Sequence, residues 1–431
     1  MNSDWGRFKV SELIADKILV IGDGYRAKNS ELSVSGIPFA RAGNINNGFQ
    51  FKAADYFPID QLEKVGEKIS RPGDVVFTSK GTVGRFAFVK QGTQKFVYSP
   101  QLCFWRSLNS EKLHPRFLYY WMQSRDFEAQ VNAVKGQTDM ADYVSLKDQR
   151  RMNITIPEIE EQVRISKVLS CIDDKIELNN AINKNLEEMA KALFKRWFVD
   201  FEFPNDNGEP YKSSGGEFED SELGLIPKGW EVKELSELIE INKGLSYKSM
   251  YLTEKDDPEG FPMVSLSNFN FGAGFKHDKT KFYKGPYKES HCVSHGDIVI
   301  AATDVTQDRK MLGSPAIVPN ILNRMIFSLD VFKVKTTSEK LFYYYHLQTN
   351  DYRGRVEGSA TGTTVTRISS DVILKHKIAY PPIHIREEFE NIASTINKKV
   401  EELESEKQKL QNLRDLLIPK LMSGEIRIPV E

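Results

Sequence analysis

Apolar residues in this chain keep two different rhythms, and the two alternate twice. Ile165, Leu169, Ile172 and Ile176, then Leu186, Ala190, Leu193 and Trp197, follow one another in steps of three and four. Phe389, Ile392, Ile396, Val400, Leu403, Leu410, Leu413 and Leu417 repeat the pattern near the end of the chain. That spacing places a stripe along one face of a long helix and predicts a coiled coil. Elsewhere the runs are short, as in Val75-Val76-Phe77 and Ile298-Val299-Ile300, and are punctuated by Gly and Pro. They predict strands joined by turns. Leu113 to Val134 and Glu339 to Val356 carry aromatic-rich helical patterns, so the mixed stretches are α+β.

The alternation is a duplication. Trp5 and Ser11-Glu12-Leu13-Ile14 answer to Trp230 and Ser236-Glu237-Leu238-Ile239. Gly73-Asp74-Val75-Val76 answers to Gly296-Asp297-Ile298-Val299, and Pro157 to Pro381. The offset is far longer than a solenoid period, so one large unit is written twice. The expected organisation is a mixed domain over 1–156, a spacer helix over 157–203, a polar Gly-rich linker over 204–225, a second mixed domain over 226–380 and a second spacer helix over 381–431. A helix of roughly 40 residues is about 60 Å long, and one alone cannot bury its stripe. The economical arrangement pairs the two helices antiparallel, with an approximate two-fold axis relating the halves. Asn179 and Asn183 fall where the first stripe should be apolar. Either the seam is polar there, which fixes register at a cost in stability, or it drifts onto Leu178 and Ile182.

At 431 residues the chain has room for two or three domains with full cores. It has no long apolar run of transmembrane type and no basic-then-apolar leader, which predicts a cytoplasmic protein. Cys103, Cys171 and Cys292 fit neither a disulfide framework nor a zinc knuckle. The net charge of −1 hides a segregation. Residues 1–156 hold 22 basic and 16 acidic side chains, and 226–380 hold 21 and 18. Residues 157–225 hold 8 and 16. The mixed domains are thus basic and the first spacer acidic, which permits attraction to phosphate without demanding it.

Catalytic patterns are missing from the sequence. There is no G-x-x-x-x-G-K-[ST] phosphate loop. Phe271-Gly272-Ala273-Gly274 and Tyr380-Pro381-Pro382-Ile383 only approach the motifs of an amino-methyltransferase. Tyr380 cannot take an amino proton as Asp or Asn does, and Ile383 is not aromatic. Asp74 to Lys80 has the lysine of a metal nuclease but Thr78-Ser79 where a second carboxylate belongs. His291, Cys292 and His295 have ligand-like spacing, yet the first repeat has Lys68, Ile69 and Pro72 there. Neither a metal site nor an enzyme is expected.

Three pairs of polar loops remain. Arg41, Asn44 and Asn46 lie in one, opposite Ser267, Asn268 and Asn270 of the second repeat. Lys80, Thr82 and Arg85 follow the Gly-Asp strand, opposite Thr306, Arg309 and Lys310. Gln137 and Thr138 answer to Thr363 and Thr364, with Arg367 just beyond. These side-chain types read base edges and phosphates, and the same Asn and Thr residues also cap turns. The aromatic runs Tyr119-Tyr120-Trp121 and Tyr343-Tyr344-Tyr345 suit helix core better than base stacking.

Leu193-Phe194-Lys195-Arg196-Trp197-Phe198-Val199-Asp200-Phe201 closes the first helix, and Ile226-Pro227-Lys228-Gly229-Trp230 opens the second unit. With these motifs the layout resembles the specificity subunit of type I restriction–modification systems. Gly73-Asp74-Val75 with Gly81-Thr82-Val83-Gly84, and the ending Leu421-Met422-Ser423-Gly424-Glu425-Ile426, also resemble that family. The resemblance implies two target recognition domains, each reading half of a bipartite asymmetric DNA sequence in host defence. It implies spacer helices that dock two methylase subunits, which bind S-adenosylmethionine and methylate adenine, and two motor-nuclease subunits using ATP and Mg. The second repeat departs by an insertion between Asp304 and Gly313. A related type II recognition subunit, or a coiled-coil scaffold binding only proteins, are the alternative readings.

Overall fold

The computed structural model describes residues 5–46, 48–52, 54–134, 142–276, 279–306, 308–320, 324–336, 338–362 and 365–429. The chain forms two compact units, Met1–Leu178 with Glu406–Glu431, and Asn179–Ser405. The long helices Ile159–Phe198 and Ile383–Met422 are each 40 residues, and the boundary between units falls inside both.

In unit 1, four antiparallel strands run in the order Leu19–Asp23, Leu102–Ser107, Val75–Thr78, Phe86–Phe88. Side chains alternate across a strand, and here both faces are covered. Val75, Phe77 and Trp105 point to a core shared with Phe117, Trp121 and Phe127 of the two short helices. Val76 and Phe104 point to the other face, against Phe96 and Tyr98. Burial on both sides explains why Val75-Val76-Phe77 is continuously apolar instead of alternating. A second sheet joins Asp55–Phe57, Ile37–Ala40 and Val97–Tyr98.

The Gly-Asp motif is structural. Gly73 takes φ +92°, in the region that favours glycine. It delivers Asp74, fully buried, to the Arg106 guanidinium at 2.6 Å and to the Tyr98 hydroxyl at 2.6 Å. Unit 2 repeats the plan with Gly296 at φ +77° and Asp297 paired to Lys333 at 2.7 Å. Its four-stranded sheet runs Glu240–Lys243, Val331–Lys335, Ile298–Ala301, Pro315–Ile317. A five-stranded sheet centred on Phe261–Val264 takes the place of the three-stranded one.

Within each unit a portion of one long helix packs against a portion of the other. In unit 1, Ile165 and Leu169 share a core with Ile418 and Leu421, and Arg414 meets Asp173 at 3.1 Å. In unit 2, Phe194 packs on Phe389 at 5.5 Å between ring centroids, and Asn179 donates to the Leu403 carbonyl at 3.5 Å. In both, rising numbers on one helix meet falling numbers on the other. Asn179 and Asn183 are buried while Leu178 is exposed, so the stripe stays on the asparagines.

The polar Gly-rich segment 204–225 is locally folded. Phe203 stacks on Tyr211 at 4.6 Å, Phe201 and Phe203 meet Trp230, and Phe218–Ser221 pairs with Gly224–Pro227 as a hairpin. Its two aromatic residues, Tyr211 and Phe218, pack with Phe201 and Phe203 just before it, and this outweighs its polar composition. Tyr120, Trp121, Tyr343 and Tyr345 are buried, as their helical spacing indicated. Among the described residues, no helix is long and apolar enough to cross a membrane.

Candidate nucleic-acid interface

In unit 1 the polar loops meet around a tight turn. Leu102 N–H bonds the Ser99 carbonyl at 2.9 Å, which puts Pro100 and Gln101 at the tip between two strands. The Gln101 backbone carbonyl accepts Ser79 N–H at 3.1 Å, and its side-chain Oε1 accepts Ala42 N–H at 3.1 Å. One residue therefore fastens the loop after Ala40 to the loop after Thr78. The third segment joins through Gly81 N–H to the Asp142 carbonyl and Val144 N–H to the Ser79 carbonyl, at 3.0 and 2.9 Å.

Gly24 makes the junction possible. A Cβ there would lie 1.9 Å from the Ser99 carbonyl oxygen, and one at Gly244 would lie 2.1 Å from that of Ser328 in unit 2. Close backbone approach demands glycine at both.

A recess of about 450 Å³ opens beside the turn, with Arg41, Lys80, Gln101 and Asn29 against an apolar wall of Phe39 and Leu32. Arg41 reaches Asp55 at 2.5 Å, and Arg85 donates to Asn46 at 3.1 Å. Arg41, Asn46, Lys80 and Arg85 are thus gathered at one end of the sheets. Thr82 is exposed, and its carbonyl accepts the Thr78 hydroxyl at 2.5 Å. Asn44 is committed otherwise, since its Oδ1 accepts Arg41 N–H at 2.8 Å and its Nδ2 donates to the Gln50 carbonyl at 2.9 Å. Gln137 and Thr138 lie outside the described residues.

Unit 2 builds the same junction from different side chains. The turn Ser328–Val331 carries Leu329 and Asp330 at its tip, and the Asp330 carbonyl accepts Ala302 N–H at 2.9 Å. The Thr303 hydroxyl donates to Asp330 Oδ1 at 3.2 Å. The inserted loop is organised by Asp304, whose buried carboxylate accepts N–H groups of Thr306, Met311 and Leu312 at 2.7, 2.7 and 3.2 Å. Arg353 holds the loop from beneath by donating to the Lys310 carbonyl at 3.2 Å and to that of Leu312. Arg309 sits at φ +51°, and Lys310 pairs with Asp308 at 2.8 Å in the open. Arg367 is exposed on a two-residue strand opposite Thr303. Thr363 and Thr364 lie outside the described residues.

Asn268 corrects the expectation for its loop. It is fully buried, with Oδ1 accepting Ser265 N–H at 3.0 Å and Nδ2 donating to the Lys276 carbonyl and the Thr280 hydroxyl at 3.0 and 3.1 Å. A side chain so enclosed cannot touch a base. It caps the turn, as Asn44 does in unit 1. Ser267 donates to the Lys279 carbonyl at 2.9 Å, and Asn270 is half-buried beside Gly274.

Three residues at the junction escaped the sequence reading. Gln101 and Asp330 are set by the repeated turns Ser99-Pro100-Gln101 and Ser328-Leu329-Asp330, a match visible in the sequence. Tyr143 bridges to Lys80 and is 43% exposed, at the position Arg367 holds in unit 2. Partial burial and the charge of Asp23 push its hydroxyl pKa up, against the opposing charge of Arg26. His291, Cys292 and His295 have partners that are not metal: His295 faces Glu401 at 3.1 Å, and Cys292 is buried with Arg324 at 3.2 Å. No cluster of three or more metal-ligating side chains occurs among the described residues.

Residues 2–188 and 227–414 each match the family described as type I restriction modification DNA specificity domain. The chain belongs to that family. It is 25% identical over 373 residues to the type I restriction enzyme MjaIX specificity subunit of Methanocaldococcus jannaschii, covering 84% of this chain and 79% of that protein. It is 23% identical over 438 residues to the HindI specificity subunit of Haemophilus influenzae, covering 90% and 94%. The fold is similar to the crystal structure of a type I restriction-modification S subunit from M. genitalium, with a TM-score of 0.55, 14% identity and coverage of 98% and 97%. The doubled specificity domain and the doubled loop junction are the same duplication seen at two levels.

Proposed function

We propose that this chain is the DNA sequence-recognition subunit of a type I restriction–modification complex and performs no chemistry of its own. Each junction reads one half of a bipartite, asymmetric sequence. The long helices act as antiparallel coiled-coil spacers that set the distance between readers and dock two methylase subunits. Those subunits bring S-adenosylmethionine, and two motor-nuclease subunits bring ATP and Mg. Exposed apolar side chains on the helices, Val163 and Leu416 in unit 1 and Met189 and Ile383 in unit 2, support a docking role.

The observation that carries the reading is a shared scaffold with unlike side chains. Arg41, Lys80, Gln101 and Tyr143 in unit 1 stand where unit 2 has Ser265, Thr303, Asp330 and Arg367. A common frame with exchanged tips suits two different half-sequences. The test is methylation sequencing of DNA modified by the assembled complex, before and after residues 226–380 are exchanged for those of a relative. One half of the methylated sequence should change and the other should persist, and a change in both halves would sink modular reading. Affinity should also fall by orders of magnitude as salt rises from about 50 to about 200 mM, since several phosphates are contacted. A salt-insensitive chain would be a protein scaffold instead.

A further inference from the structure

We infer that Gln101 and Asp330, at matching turn tips, are specificity-determining residues of opposite hydrogen-bonding polarity. The inference rests on the DNA-reading function proposed above and deepens it. Each side chain uses one atom to hold the scaffold. Gln101 Oε1 accepts Ala42 N–H, and Asp330 Oδ1 accepts the Thr303 hydroxyl. The second atom of each has no hydrogen-bond partner among the described residues, while the anchored atom fixes the rotamer. Gln101 therefore offers an amide N–H₂ donor, and Asp330 offers a carboxylate oxygen acceptor.

The surroundings reinforce the contrast. Gln101 shares its recess with Arg41 and Lys80, two further donors. The equivalent positions in unit 2 are Ser265 and Thr303, both buried, so no cation stands beside Asp330 at those places. A donor-rich tip selects a base edge that presents acceptors, above all guanine with its O6 and N7. A carboxylate selects a base that presents an amino group, cytosine N4 or adenine N6. The two units are thus built to favour complementary edge chemistry at one position in each half-sequence. Being anchored, each tip loses little freedom on binding, which favours discrimination.

The isosteric variants Gln101→Glu and Asp330→Asn keep the anchoring acceptor and reverse or neutralise only the outward atom. The full chain, assembled with its methylase subunits, is titrated against duplexes substituted at each position of the methylated sequence. Gln101→Glu is expected to weaken binding about tenfold through one position of the unit 1 half, leaving the other half untouched. Asp330→Asn is expected to relax discrimination about tenfold at one position of the unit 2 half only. Should an isosteric variant fail to fold, Gln101→Ala or Asp330→Ala reports on the same position. Wild-type complex that reads a bipartite sequence, with variants unchanged in both halves, overturns the assignment of these residues alone. Wild-type complex that binds no DNA overturns the functional reading, and this assignment with it.

Discussion

Asp74 grips Arg106 through two hydrogen bonds, of 2.6 and 2.8 Å, with the carboxylate fully buried and the guanidinium 5% exposed. Burial opposes the charged guanidinium, and Asp74 more than offsets it, leaving the Arg106 pKa raised. Removing one partner leaves a buried charge without compensation. Asp74→Ala is expected to destabilise unit 1 by about 3–5 kcal/mol in urea titration. Tyr98→Phe, which deletes a single bond to the same carboxylate, should cost roughly 1.5–3 kcal/mol because that bond is charge-assisted. Equal losses from both would show that the ion pair is not the keystone of this sheet.

Acid should weaken unit 2 through a histidine. His346 packs under Phe194 and Phe342 and 5.2 Å from the His376 ring, and burial with the His376 charge lowers its pKa from 6.5 to about 3. The unfolded chain takes up the proton first, so the stability of the neutral form is complete above pH 6.5 and is lost as pH falls from there toward 3. Burial lowers the His376 pKa as well, and Asp351, 3.6 Å away, opposes that shift without reversing it. The drop in Tm between pH 7.5 and pH 5 should be smaller in His346→Phe than in the wild type. An identical drop would place the acid sensitivity in the carboxylates.

The six exposed or half-exposed cations of the two junctions should divide into two classes. Alanine at a base-reading Arg41, Lys80 or Arg367 should cost about 1–3 kcal/mol and relax one position of the sequence. Alanine at a phosphate contact should weaken all sequences alike and flatten the salt slope by about one unit. Lys310, paired with exposed Asp308, and Arg85 and Arg309 on the loop flanks, are assigned to the second class. Competition binding at several salt concentrations separates the classes, and six silent variants would mean the wrong face of the molecule.

Asn179 on the helix seam should cost stability. It is a fully buried polar side chain, and its amide donates to the Leu403 carbonyl at 3.5 Å. Asn179→Leu is expected to raise the Tm of unit 2 by a few degrees, as removal of polar seam residues does where register is held by other contacts. Phe194 on Phe389 supplies such a contact. A lower Tm would show the amide to be a net stabiliser.

Periodicity and repetition are local properties, and the sequence by itself determined what depends on them. Stripes at steps of three and four gave both 40-residue helices, and the repeated Gly-Asp and aromatic runs gave two α+β units on one plan. Loop composition pointed to Arg41, Lys80 and Arg85. What it did not decide was direction. Asn44 and Asn268 have the composition of base readers, yet their amides close turns, because an unpaired backbone N–H nearby outcompetes solvent for a short side chain. The asparagines of the helix seam, and the aromatic residues that fold the Gly-rich segment after Phe203, were likewise settled by packing. The repeated turns carrying Gln101 and Asp330 stand in the sequence, but which of their atoms are engaged followed only when the sheets brought together turns and loops far apart in the chain, Ala42 beside Gln101 and Thr303 beside Asp330. A residue's chemistry is written in its letter, but which of its atoms is already engaged depends on neighbours that only the tertiary fold supplies.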